Sequence, residues 1–227
     1  MSHATLRYMF FINYKAYEQG SGQSAVALTK VLEEVSREKM IKVIPVVQTI
    51  DAELVIESTT LEVWIQHIDP VSYGAHTGWT LPEEAIRVGV KGVFLNHSEH
   101  KFDDWNHLVK AVARCKEVDL KTLVFAADID ELKKVLNLKP DFVSYEPPEL
   151  VGSTETSVSQ EKPEVIKEAA DVAKEASIPL IVGAGIKSTE DVRVGIKLGA
   201  SGFAVASDIV KAEDPKKELE ELIEGYM

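Results

Sequence analysis

The chain has 227 residues, with 25 Lys and Arg against 37 Asp and Glu and a formal net charge of −12. That balance argues against a general nucleic-acid binder, which needs clustered cations to neutralise phosphates, and a hydrophobic fraction of 45% is too high for a disordered chain. No apolar run approaches the roughly 18 residues of a membrane span, the first residues lack a secretory pattern, and a single cysteine, Cys115, excludes an internal disulfide framework and a cysteine-based zinc site.

These features describe a cytoplasmic protein with no membrane and no nucleic-acid partner, folded as one domain over residues 1–227. Short apolar runs alternate with helical patterns along the whole chain. The first run, Tyr8–Asn13, precedes a segment that places Ala25, Leu28, Leu32 and Val35 on one helical face. Lys42–Val47 is followed by a short segment, Asp51–Glu57, and Glu62–Gln66 by another, Pro82–Val88. After Gly92–Leu95 comes a helix with Trp105, Leu108 and Val112 on one side. Lys121–Phe125 leads into Asp130–Leu136. Phe142–Tyr145 precedes a helix opening at Lys162-Pro163-Glu164, where proline suits a first turn, with Ile166, Ala169 and Ala173 inward. Pro179–Val182 precedes Ser188-Thr189-Glu190-Asp191, a loose capping pattern, and then Val192, Ile196 and Gly199. Gly202–Ala206 closes the series, and a last helix begins at Asp214-Pro215 and packs through Leu219, Leu222 and Ile223.

The runs are near-continuously apolar, as in strands covered on both faces. Eight strand–helix units in this length predict a single closed (β/α)8 barrel in the α/β class; a doubly wound open sheet, the alternative, usually has fewer strands.

Chemistry in such a barrel belongs at the carboxyl ends of strands. The first ends in Asn13-Tyr14-Lys15, and alternation points Asn13 and Lys15 inward, so that Lys15 offers a positive charge to an anion. Taken alone, Lys15 reads equally well as a solvated surface lysine. The fourth ends in Asn96-His97-Ser98-Glu99, where His97, taken alone, reads more readily as a histidine bonded to nearby backbone. The sixth ends in Tyr145-Glu146-Pro147-Pro148-Glu149. Burial at a dry rim would raise the basicity of Glu146, which suits a general base, although a charge opening the next helix is the plain alternative. Gly183-Ala184-Gly185 and Ala206-Ser207 end the last two, where small residues let backbone N–H groups approach an anion. A cation, an imidazole, a carboxylate and an anion nest together suit proton transfer beside a carbonyl on a small phosphorylated substrate. Glu146 is the only acid ending a central strand, which disfavours a metal site.

The chain resembles the triosephosphate isomerases, particularly their compact archaeal-type branch. The resemblance rests on Asn13-Tyr14-Lys15, Gln66-His67, Gly74-Ala75-His76-Thr77-Gly78, Asn96-His97-Ser98-Glu99, Tyr145 to Gly152, Gly183-Ala184-Gly185 and Ala206-Ser207. It implies a TIM barrel and an aldose–ketose isomerase that interconverts dihydroxyacetone phosphate and D-glyceraldehyde 3-phosphate, in glycolysis and gluconeogenesis, with no cofactor and no metal. Glu146 would be the base, His97 a neutral electrophile at the carbonyl oxygen, and Lys15 the cation, with Asn13 adding hydrogen bonds and Glu99 tying down their surroundings. These roles belong to the family, for which they are a standard example of pKa tuning, and they come with the resemblance alone.

The same resemblance gives the phosphate to backbone near Val151, Gly152, Gly185, Ala206 and Ser207, makes Pro147–Gly152 the front of a closing lid, and sends Thr77 into a neighbouring subunit of a homodimer or homotetramer. The chain departs from the family pattern at Ser153, Thr154 and Glu155 in the far hinge of the lid, at Asp208 after the phosphate nest, and at His76. A barrel acting on a larger phosphorylated metabolite and a barrel that binds without turnover are the other readings. Cys115 reads as structural, and Trp64, Trp79 and Trp105 as packing or interface residues.

Overall fold

A computed structural model of the chain describes residues 8–146, 163–183 and 185–226. Eight parallel strands close into a barrel in sequence order: β1 Met9–Asn13, β2 Lys42–Val47, β3 Trp64–Ile65, β4 Gly92–Leu95, β5 Lys121–Ala126, β6 Phe142–Tyr145, β7 Leu180–Val182 and β8 Gly202–Val205. β1 pairs with β2 on one side and β8 on the other. The open-sheet alternative is therefore excluded.

The helices outside are α1 Gly22–Lys39, α2 Ala52–Ile56, α3 Pro82–Val88, α4 Trp105–Glu117, α5 Ile129–Leu136, α6 Pro163–Glu175, α7 Thr189–Leu198, α8 Ser207–Val210 and α9 Pro215–Ile223. Their inward faces are largely those read from the spacing, with Leu28, Leu32, Ile166 and Leu219 all buried. Trp105 departs from its expected face. It opens α4 and is 38% exposed, while Leu108 and Val112 one and two turns later are buried. The capping pattern before α7 is a full capping box: the Ser188 hydroxyl accepts from the Asp191 N–H, and the Asp191 carboxylate accepts from that of Ser188.

Four strands are shorter than their apolar runs, β1 and β8 by one terminal residue each, and the other two for a visible reason. β7 starts after Pro179, which has no N–H to give the ladder. β3 ends before Gln66, whose side-chain amide donates to the Val46 and Lys15 carbonyls. Alternation divides the core into two. Phe11, Ile44, Val46, Trp64, Phe94, Leu123, Phe125, Ile181 and Ala204 fill the barrel, and a larger apolar layer lies between barrel and helices. Cys115 is buried in that outer layer, and burial pushes its thiol up to about 12, which leaves it protonated and structural.

Inside the barrel, Gly92 faces the Trp64 ring so closely that an added β-carbon would lie 2.2 Å from it. Gly92→Ala is therefore expected to destabilise the fold by about 1–3 kcal/mol through overpacking. Thermal unfolding followed by circular dichroism checks this, and an unchanged midpoint would contradict the packing.

Candidate active site

The carboxyl ends of the strands converge on one cavity lined by Asn13, Lys15, His97 and Glu146 together with Gly185, Lys187 and Ser207. Each group reaches it through a specific local device. Lys15 leaves β1 in the left-handed region at φ 48°. Its N–H donates to Asn13 Oδ1 at 3.0 Å, and its carbonyl accepts from Gln66 Nε2 at 2.9 Å. Those two bonds hold a backbone conformation that costs a non-glycine residue roughly 1 kcal/mol. The Lys15 ammonium then donates to Glu99 Oε1 at 2.8 Å. Asn13, expected beside the substrate, has its side-chain oxygen committed to the Lys15 turn.

His97 is buried, with its ring edge against Phe125 at 4.8 Å between centroids. The turn that carries it is set by Asn96, also left-handed at φ 62°, whose amide donates to the Phe125 carbonyl and to Glu131 Oε1. Glu131 also accepts from the Ala127 N–H, which ties the end of β4 to that of β5. His97 Nδ1 accepts from the Glu99 N–H at 3.1 Å. The hydrogen-bond network thereby assigns the ring proton to Nε2, which faces the cavity. Burial holds the imidazole well below its ordinary range, at about 4; the Glu99 charge opposes this, and Lys15 and His100 add to it. At neutral pH the ring is an uncharged donor.

Glu146 follows β6 directly and is 5% exposed. Its Oε2 stands 3.4 Å from His97 Nε2 and accepts from the Ser98 hydroxyl at 3.3 Å. Burial raises its carboxyl to about 7, against the opposing pull of Lys15 and the Ser98 bond. Room for the carboxylate depends on Gly183, where an added β-carbon would lie 3.0 Å from Oε1. The site thus holds a carboxylate basic enough to take a proton near neutral pH, a neutral imidazole with its N–H aimed at the same space, and a fixed cation.

On the far side, Gly185 is left-handed at φ 64°, and Ala206 takes an unusual backbone turn (φ −136°, ψ −96°) before Ser207 opens α8. Asp208 is exposed on the first turn of α8 and also lines the cavity. Val151 and Gly152, the lid from Pro147 and its hinge through Thr156 lie outside the described residues, as does Ala184. Thr77 is exposed on the loop between β3 and α3. Among the described residues, no group of three or more His, Cys, Asp and Glu is arranged to hold a metal ion.

Residues 8–225 match the family model for triosephosphate isomerase. The chain is 38% identical over 219 residues to a triosephosphate isomerase from Methanothermus fervidus, covering 96% of this chain and 98% of the relative. It is 40% identical over 219 residues to that of Sulfurisphaera tokodaii, covering 95% and 93%. The chain belongs to the triosephosphate isomerase family. With that family it is an isomerase, and its closed barrel is a TIM barrel.

Within this family member, the sequence pattern placed Lys15, His97, Glu146, Gly185, Ala206 and Ser207 on one cavity, as found. It missed Lys187, whose only signal is its place two residues after Gly185. It also missed Asn96 and Glu131, which shape the site from below through contacts 35 residues apart in the chain.

The two shifted groups have opposite effects on stability. The folded protein binds the Glu146 proton more tightly than the unfolded chain does, so ionising Glu146 costs stability above about pH 7, and the cost disappears as pH falls from there towards 4.5. For His97 the unfolded chain takes the proton first, so stability is lost as pH falls from 6.5 towards 4. Glu146→Gln removes the first cost. The variant is expected to be more stable than the parent at pH 8 by roughly 2–3 kcal/mol, with the gap closing towards pH 5. Denaturant unfolding at the two pH values checks this; a gap that does not change with pH would contradict the buried, high-pKa carboxylate.

Proposed function

We propose that this protein interconverts dihydroxyacetone phosphate and D-glyceraldehyde 3-phosphate, as an enzyme of glycolysis and gluconeogenesis. The observation that carries the reading is the pairing across one cavity of a Glu146 carboxyl raised to about 7 with a neutral His97 whose Nε2–H faces it.

Glu146 takes the proton from the carbon beside the carbonyl. The C–H electron pair becomes the new carbon–carbon double bond, and the carbonyl π pair moves onto oxygen. His97 donates a hydrogen bond to that oxygen, and Lys15 stabilises the developing negative charge. Glu146 then returns the proton to the adjacent carbon while the hydroxyl proton passes between the two oxygens through His97. A base with a pKa near the working pH serves both directions of the reaction. Gly185, Ala206 and Ser207 offer backbone N–H groups to the phosphate, joined by Val151 and Gly152, and Lys187 adds charge beside them. Closure of the segment from Pro147 to Gly152 would keep water from the enediolate.

Conversion of glyceraldehyde 3-phosphate by the purified protein, coupled to glycerol-phosphate dehydrogenase, tests the reading. Turnover supports it. No turnover, with phosphoglycolate still bound, would replace it with a binding protein on the same scaffold.

Assembly into a homodimer or homotetramer belongs to the same proposal. Tyr73 and Trp79 on the loop that carries Thr77 are 67% and 48% exposed, and Ile50 beside Trp79 is 88% exposed. Such apolar side chains on one face suit a subunit contact. A second depression, lined by Lys15, Gln66, Glu99 and His100, offers a seat for the Thr77 loop of another subunit. Trp79→Asp is expected to shift the mass in light scattering towards the monomer and to reduce turnover with it. A parent already monomeric at micromolar concentration would contradict this.

A further inference from the structure

Below Glu146 lies a feature that the reaction, as set out above, does not use. Strand β6 alternates, so Phe142, Ser144 and Glu146 all point into the barrel, while Val143 and Tyr145 point out to the helices. Ser144 is completely buried, and its hydroxyl has no hydrogen-bond partner. An unpaired buried hydroxyl costs about 1–3 kcal/mol, and an alanine would fill the same wall at no such cost. At its own level Ser144 is flanked by Phe125 of β5 and Ile181 of β7, and neither side chain can bond its hydroxyl. A β-carbon added to Gly183 on the β7 side would lie 3.0 Å from Glu146 Oε1 and 3.1 Å from the Ser144 hydroxyl. The two oxygens thus both approach the spot where Gly183 carries no side chain.

That shared approach has a use once substrate enters. With Oε2 only 3.4 Å from His97 Nε2, no substrate oxygen fits between the two groups. For His97 to donate to a carbonyl oxygen, the carboxylate has to withdraw from the ring. On the side where Gly183 lacks a side chain it meets the Ser144 hydroxyl. We propose that Ser144 is a positioning residue for Glu146, its hydroxyl donating to Oε1 of the ionised carboxylate when substrate parts Glu146 from His97. This rests on the isomerase reading above and adds to it a second hydroxyl, on the opposite side of the carboxylate from Ser98.

The bond exists only with the site occupied, which sets the signature of its loss. The other polar and charged groups around Glu146 are Lys15 from the end of β1, His97, Ser98, Glu99 and His100 after β4, Lys187 after β7 and Asp208 in α8. Ser144→Ala leaves all of them in place. In the coupled assay, the variant is expected to lose about tenfold in kcat, the effect of one hydrogen bond to a charged group, with KM within twofold of the parent's. The acid limb of its kcat profile should move to higher pH by about half a unit or more, because a donor to the ionised form is gone.

Its melting temperature should equal or exceed the parent's, since an unpaired polar atom has been removed. In a crystal with phosphoglycolate bound, the parent should show the Ser144 hydroxyl within hydrogen-bonding distance of Glu146 Oε1. Unchanged kcat and acid limb, or a fall in kcat without a moved acid limb, would overturn the proposal and leave Ser144 as packing. A parent with no triose phosphate turnover would remove the isomerase reading and this inference together, and it would be seen before any variant is compared.

Discussion

Glu146→Gln is expected to lower kcat by about 10³-fold with little change in KM. The substitution keeps the shape of the side chain and its place beside the Ser98 hydroxyl, but an amide cannot accept the substrate proton. No other described carboxylate stands at this spot. Glu99 is bonded to Lys15, and Glu131 is held by Asn96 and Ala127. The coupled assay on parent and variant, with phosphoglycolate binding as a control for an intact site, makes the comparison. A loss of less than tenfold would mean that another group moves the proton, and the assignment of the base would fail.

Lys15→Met is expected to lower kcat/KM by about 10²–10³-fold, the range found when one preorganised donor to a developing oxyanion is removed. Two linked changes follow from the geometry. The Lys15 charge pulls the Glu146 carboxyl down against its burial, so without it the acid limb of kcat/KM should move to higher pH. Glu99 loses its partner at 2.8 Å and is left beside His97 as an uncompensated negative charge, which favours a protonated ring. A variant with weakened substrate binding but an unmoved acid limb would show that Lys15 serves the phosphate alone and acts too far from Glu146 to tune it.

How much of this could be read from the chain differs from residue to residue. Alternating apolar runs and helical faces gave the barrel, since strands buried on both sides and helices buried on one leave different periodicities. The ends of those runs then located Lys15, His97, Glu146, Gly185, Ala206 and Ser207, because the fold itself dictates where its strands open. Asn96 was visible only as a member of a motif. Its left-handed backbone and its bonds to Phe125 and Glu131 join segments distant in sequence, and no local pattern announces them. Trp105 had the right spacing for a buried face, but as the first residue of α4 it meets solvent.

The amino-acid sequence by itself determined the architecture and which residue types stand at the ends of the strands. Periodicity and residue type are local properties, and both survive in a one-dimensional reading. The protonation states were decided only by the tertiary structure. Glu146 near 7, His97 near 4 and the ring proton on Nε2 depend on how deeply each group is buried and on which donor faces it. Desolvation and hydrogen-bond direction arise from packing among eight strands brought together in space. The same holds for the close approach of Gly183 to Ser144, where a missing side chain and an unpaired hydroxyl have meaning only because β6 and β7 lie side by side.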